Sequence, residues 1–200
     1  MNFFHPHDMI LKAQKAKYKI LAFPAIVIII CFIFSTQGVS NNVIKYISAI
    51  ALLFWLFILV MFRYKRFYPT HDISEIVAPI NGKIISKKCI PNGCILTIQK
   101  NFFSSSEIVT CSDNDIPNKI QIEKQQVSWE IHGNFINIFI DDSIKYQSVL
   151  IGLAVGYAVC EVFIPMKFKI QLEENEYVSA GESIIAKLEN LTVNEQEIYE

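Results

Sequence analysis

No excess of positive charge runs through this sequence. Its 18 Lys and Arg are set against 19 Asp and Glu, a formal net charge of -1, with the signs interspersed. The broad basic face that tracks a phosphate backbone is therefore absent, and no nucleic-acid partner is expected. Cysteine is scarce too. Cys31, Cys89, Cys94, Cys111 and Cys160 are odd in number and scattered, which is no disulfide framework of a small secreted domain. Charged residues make up only 18% of the chain, and none falls between Ile20 and Val43. A stretch that long without charge has no polar face to offer water.

What fills the gap is hydrophobic: 52% of the residues, more than an ordinary soluble domain carries. Residues 20–34 read ILAFPAIVIIICFIF and residues 44–62 read IKYISAIALLFWLFILVMF, joined by the uncharged residues 35–43. The second run matches the thickness of a hydrocarbon core, and the first does so with Tyr18, Ser35 and Thr36. Pro24 lies near the start of the first run, where a helix tolerates it best. A transmembrane helical hairpin over residues 20–62 follows. A cleaved signal peptide fits less well, because the first run starts late, lacks a small-x-small cleavage site and is answered by a second. Two buried helices of a globular core fit less well again, because residues 52–62 are apolar on every helical face.

Lys12, Lys15, Lys17 and Lys19 precede the hairpin, and Arg63, Lys65 and Arg66 follow it. The positive-inside rule then puts both termini on the cytoplasmic, or organelle-matrix, side. Residues 1–19 mix Phe3, Phe4, Ile10 and Leu11 with those lysines and read as an interfacial segment. His5, His7 and Asp8 lie there without the supporting shell that a metal site needs, so no metal is expected. Residues 63–74 read as a basic linker. Arg63, Lys65 and Arg66 are candidate contacts to anionic lipid, at about 1 kcal/mol each near such a surface, although topology alone also accounts for them.

Residues 75–200 alternate with a period of two and predict a β domain. Strands are expected over 83–87, 94–99, 107–111, 119–123, 126–131, 135–140, 159–164, 167–172 and 183–188. Turns are expected at Pro91-Asn92-Gly93, Asp113-Asn114-Asp115, His132-Gly133-Asn134 and Asp141-Asp142. Cys89 and Cys94 flank the first turn, where they could pair or bind a metal. With no second Cys/His pair at ligand spacing they read as structural thiols. His132 reads as a turn residue, and the adjacent Asp141 and Asp142 as a turn rather than paired carboxylates, since neighbours on a strand face opposite ways.

The two ends of this domain echo each other. Ala78-Pro79-Ile80-Asn81-Gly82-Lys83-Ile84 has the form P-x-x-G-[KR]-[IV], and residues 175–184, NEYVSAGESI, have the form G-x-x-V-x-x-G-E-x-[IL], with Asn175 in place of a turn glycine. Both resemble the half-motifs of biotinyl/lipoyl-type sandwiches, in which the glycines permit tight turns. Met166-Lys167 is the dipeptide that biotin carriers present on a turn, but alternation over 167–172 predicts that Lys167 opens a strand as an ordinary solvent-facing residue.

The whole order of features resembles the short, membrane-bound phosphatidylserine decarboxylases. The hairpin is followed by an aromatic and basic exit, Phe62-Arg63-Tyr64-Lys65-Arg66-Phe67-Tyr68-Pro69, and by Pro79, Gly82 and Lys83 of the first half-motif. The chain closes with Ile151-Gly152-Leu153-Ala154-Val155-Gly156-Tyr157-Ala158-Val159-Cys160-Glu161, then Pro165 and Gly181. The resemblance implies a pyruvoyl enzyme, in which a Gly-Ser bond cleaves itself and the serine becomes the cofactor. Here that position falls on Ala158 or Tyr157, and none of the seven glycines precedes Ser or Thr; the one Gly-Cys pair, Gly93-Cys94, lies at the Pro91-Asn92-Gly93 turn, far from that position. A phenol or a methyl cannot make the acyl shift and elimination that form the group, so no pyruvoyl cofactor and no decarboxylation are expected. Glu161 fits an acidic position of the family; pointing inward, it would need a basic or backbone partner. The reading reached is a membrane-anchored β protein of this type that holds membrane phospholipid, or a protein or second copy of itself, at the bilayer surface. An active decarboxylase with unusual processing and an assembly subunit of a membrane complex are the other two.

Overall fold

The computed structural model describes residues 6–36, 42–65, 72, 74–112, 120–122, 126–139 and 147–189, with side chains from residue 11 onward. Among the described residues two helices, α1 (Pro6–Thr36) and α2 (Asn42–Met61), precede nine strands. These are β1 (Glu75–Val77), β2 (Gly82–Ile90), β3 (Gly93–Lys100), β4 (Glu107–Val109) and β5 (Ser128–Ile138), then β6 (Leu150–Pro165), β7 (Phe168–Ile170), β8 (Tyr177–Val178) and β9 (Ile184–Leu188). The protein is thus mainly β with an N-terminal helical hairpin.

Both helices are long and apolar enough to cross a membrane. Their side chains point outward rather than into a protein core: Phe23 is 71% exposed and Leu53 67%. Such a surface is stable against hydrocarbon and costly against water. α1 is continuous across residues 19 and 20, so residues 6–19 of the segment expected at the membrane surface belong to the same helix as the first apolar run. Pro24 accordingly sits well inside α1 rather than near its start. There its missing N–H and ring remove one intrahelical bond, a defect that membrane helices tolerate.

The strands form two sheets. One has the order β1-β9-β7; the other runs β4-β6-β3-β2-β8, with β5 on the remaining edge of β6. β6 is the spine. Along one edge its C-terminal half pairs with β3, from Gly93↔Pro165 to Lys100↔Ala158, and its N-terminal half pairs with β4 at Glu107↔Leu153. Along the other edge it pairs with β5 from Ser128↔Phe163 to Ile138↔Gly152. Between the sheets lies a core that includes Ile76, Ile84, Leu96, Trp129, Val162 and Ile185.

The two half-motifs meet in space. The Ala78 amide donates to the Ser183 carbonyl (2.9 Å), the Gly181 amide to the Ala78 carbonyl (2.8 Å), and the Ala180 amide to Asn81 Oδ1 (3.1 Å). Gly181 (φ 66°) and Asn175 (φ 76°) take the left-handed turn conformation, as expected of a glycine and its Asn substitute. Gly82 serves a different purpose. It is required not for a turn but because a Cβ there would run into the backbone of Gln99 on β3. Pro79 is buried, and its carbonyl accepts from the Val109 amide (2.9 Å).

The hairpin is docked onto the β domain. Ala13 and Leu21 of α1 and Ile58 and Met61 of α2 pack with Leu150 and Leu153 of β6. At the exit of α2, the Ser106 amide and hydroxyl both donate to the Arg63 carbonyl, at 2.7 and 3.0 Å.

Several sequence expectations are corrected. His132-Gly133-Asn134 is not a turn: the strands expected at 126–131 and 135–140 are one strand, β5, with a register shift between Gly133 and Phe135. Glycine is needed there because a Cβ would lie 2.8 Å from the Tyr157 carbonyl oxygen. Residues 120–122 are not strand, and Lys119 and Glu123 lie outside the described residues, as do the expected turns at 113–115 and 141–142. β6 begins at Leu150 rather than 159, an apolar run whose buried faces hide its alternation. The short strands β1 and β8 were not foreseen. Lys167 lies with Met166 in the turn between β6 and β7, and the strand begins only at Phe168. Cys89 and Cys94 are not free thiols: they face each other across the β2–β3 hairpin and form a disulfide.

Candidate functional site

The chain's chemistry concentrates where β6 changes partners. β3 leaves it at Ala158 and β4 joins it at Leu153, and Gly156 between them has φ 82°. On the opposite edge, Gly133 pairs with Ala158 and Phe135 with Val155, so one residue of β5 faces two of β6. This is a β-bulge, which bends the strand and increases its twist. The bend turns Gly156 and Tyr157 toward the two apolar helices.

Behind the bend is Lys100, fully buried at the end of β3. Its Nζ donates to the carbonyl oxygens of Ser104 (2.9 Å), Gly156 (3.0 Å) and Asn101 (3.2 Å). Burial lowers the Lys100 pKa from 10.5 to about 8, and the nearby Glu107 carboxylate works against that shift. Glu107 is itself fully buried. Its Oε1 accepts from Asn81 Nδ2 (2.8 Å) and Ser105 Oγ (2.9 Å), while Oε2 has no hydrogen-bond partner among the described residues. The first half-motif, through Asn81, thus reaches the carboxylate that accompanies Lys100. Sequence reasoning missed both Lys100 and Glu107. Only the alternation of β3, which puts Lys100 on the same face as Leu96 and Ile98, hinted that this lysine is inward.

In front of the bend a cavity of about 540 Å³ opens between hairpin and sheet. Ala16 and Ile20 of α1, Phe54 and Phe57 of α2, Phe135 of β5 and Val155 of β6 line it, and Gly156, Tyr157 and Phe102 complete its wall. Among the described residues no charged side chain lines it; Asn134 and Asn137 are its amides. The Phe102 ring lies 6.1 Å from that of Phe57, and Phe103 packs edge-on against Phe102 at 5.3 Å. Phe103 (65%) and Phe135 (72%) are exposed beside the apolar helices, where aromatic rings suit a membrane interface.

The sequence-predicted residues divide. Tyr157 stands at the cavity, its hydroxyl accepting from Gln99 Nε2 at 2.6 Å, and Ala158 is buried. Of the basic exit, Lys65 pairs with Glu182 at 2.7 Å, whereas Arg63 lines a groove with Lys17; Arg66 lies outside the described residues. Glu161 is half-buried rather than inward, opposite Glu130 in the β5–β6 register, so the partner expected for a buried carboxylate is not required. Lys83 reaches over the Tyr177 ring at 6.0 Å, and Pro165 closes β6 opposite Gly93. Gly181 holds the turn described above. Among the described residues no group of His, Cys, Asp and Glu could hold a metal ion.

Fold and site together define a class: a β domain docked on an apolar helical hairpin, with a buried amine behind a strand bend and an uncharged cavity before it. No family model, curated protein or solved structure matches the chain.

Proposed function

We propose that this chain is a membrane-anchored protein of the phosphatidylserine-decarboxylase type that forms no pyruvoyl group and binds a membrane phospholipid, one acyl chain seated in the cavity beside Gly156. The observation that carries the reading is that membrane helices and β strands build one uncharged cavity together, with Gly156 and Tyr157 on its rim. Its volume lies in the range of small-molecule sites, and its lining continues the lipid-facing surface of α1 and α2, so a chain can enter without crossing water. The decarboxylase kinship rests on the two half-motifs and on the hold of Lys100 on the Gly156 carbonyl. That carbonyl is the one a serine at position 157 would attack. The side of the membrane follows from the lysines before α1 and the basic exit after α2, which put the β domain on the cytoplasmic or matrix face.

The test is native mass spectrometry of the full chain extracted from its own membrane in mild detergent, with and without Phe135→Glu. The exposed Phe135 can be changed without disturbing the core. The expected result is an uncleaved 22.9 kDa chain that carries phospholipid, with retention reduced in the variant. Two fragments with a carbonyl-blocked N-terminus would instead establish an active decarboxylase. A lipid-free chain with a stoichiometric protein partner would establish an assembly subunit.

A further inference from the structure

The two helices enclose a second recess, on the other side of their seam. Its volume is about 340 Å³, and it is lined at one end by Leu21, Trp55 and Leu59 and at the other by Gln14, Lys17 and Arg63, with Tyr18 and Tyr64 beside them. Its two ends differ in chemistry as the two parts of a phospholipid do. Lys17 stands one helical turn before Leu21 on α1, and Arg63 lies two residues beyond the end of α2, so a cation of α1 and a cation at the exit of α2 line the same recess. Neither side chain has a carboxylate partner among the described residues, in contrast to Lys65, which Glu182 neutralises. Arg63 is also fixed at its base, because its carbonyl accepts two bonds from Ser106.

From this juxtaposition we propose that the groove between Lys17 and Arg63 is a binding site for an anionic phospholipid of the leaflet next to the β domain. The phosphate sits between the ammonium and the guanidinium, with Gln14 as a further donor. The acyl chain runs over Leu21, Trp55 and Leu59. Arg63 can present two parallel N–H groups to a phosphate, and Lys17 adds a point charge. The site rests on the hairpin's crossing of the bilayer, as above, but not on the cavity beside Gly156, which Phe135→Glu probes separately.

The protein has two tryptophans, of which Trp129 is fully buried in the β core. Quenching of fluorescence by lipids with brominated chains therefore reads Trp55 in the groove. The full chain is reconstituted in phosphatidylcholine bilayers containing brominated phosphatidylglycerol or, separately, the same fraction of brominated phosphatidylcholine. Phosphatidylglycerol is expected to quench at lower mole fraction. The preference should fall about fivefold for each cation removed in Lys17→Gln and Arg63→Gln and be retained in Lys65→Gln, which removes an equal charge nearby. Equal quenching by the two probes in the unaltered protein would overturn the proposal, as would equal loss in all three variants, which is general surface attraction. Reversal of the preference by soluble glycerophosphate would overturn the lipid assignment in favour of a free phosphate ester.

Discussion

Lys100 Nζ donates to the Gly156 carbonyl oxygen across 3.0 Å, and so ties the end of β3 to the bend of β6. The same ammonium holds the carbonyls of Asn101 and Ser104, which shapes the loop that presents Phe102 and Phe103 to the helices. A single buried cation therefore positions both the strand bend and one wall of the cavity. An uncompensated buried charge is expensive, which makes the company of Glu107 part of the device.

The titration of Lys100 should be visible in stability. Its folded pKa is about 8, below the ordinary 10.5 that the unfolded chain keeps. Between those values the unfolded state binds a proton that the folded state has released, so stability rises with pH across the window. Below pH 8 both states hold the proton and the full cost of burying the charge is present. Guanidinium unfolding in detergent at stepped pH should show this rise, and Lys100→Met should abolish it. At neutral pH the variant should also lose about 1–3 kcal/mol, because three carbonyls and Glu107 lose their donor or counter-charge. A pH slope unchanged by the substitution would mean that another group is responsible.

Gly156→Ala should destabilise the protein without altering its topology. At φ 82° a side chain costs about 1–2 kcal/mol, and the added Cβ would stand 3.3 Å from Phe102 Cε2. Phe102 would have to give way into the cavity. A lower thermal midpoint together with weaker phospholipid retention is expected; a lower midpoint with unchanged retention would separate the strand bend from the cavity.

The Cys89–Cys94 bond bears on topology. Cys89 is exposed at the tip of the β2–β3 hairpin, and exposed disulfides do not persist in a reducing cytoplasm. With the β domain on the cytoplasmic side, both cysteines should react with a membrane-permeant maleimide in intact cells, and pair after purification in air. A pair that stays oxidised in cells would place the β domain on the opposite face.

The sequence displayed those features that depend on composition and local pattern: the hairpin, the β class, and the turns at Gly93, Asn175 and Gly181. Local pattern also misled. His132-Gly133-Asn134 has turn chemistry, yet Gly133 is there to let β5 pass close to Tyr157 on β6. Gly82 looked like a turn glycine and instead permits the approach of β3. The site was less legible than the fold, because Lys100, Glu107, Asn81 and Gly156 come from four separate stretches and only pairing of distant strands assembles them. Arg63 and Lys65 looked alike in sequence. A long-range partner, Glu182, is what tells them apart.

The Lys100–Gly156 contact also makes a serine introduced at position 157 informative. In Tyr157→Ser the new hydroxyl would follow Gly156, within reach of its carbonyl carbon. Attack by Oγ breaks the bond to the amide nitrogen of residue 157, which takes the hydroxyl proton and becomes a free amine, and leaves an ester. Negative charge builds on the Gly156 oxygen on the way, where the Lys100 ammonium already donates, as an oxyanion hole does. The ester should be cut by hydroxylamine, giving two fragments that divide between residues 156 and 157 on a denaturing gel. Adding Lys100→Met should suppress the cut, while Ala158→Ser, one residue away from the held carbonyl, should show none. If Tyr157→Ser resists hydroxylamine as the unaltered chain does, Lys100 serves the strand bend alone and the proposed kinship with self-cleaving decarboxylases is to be given up.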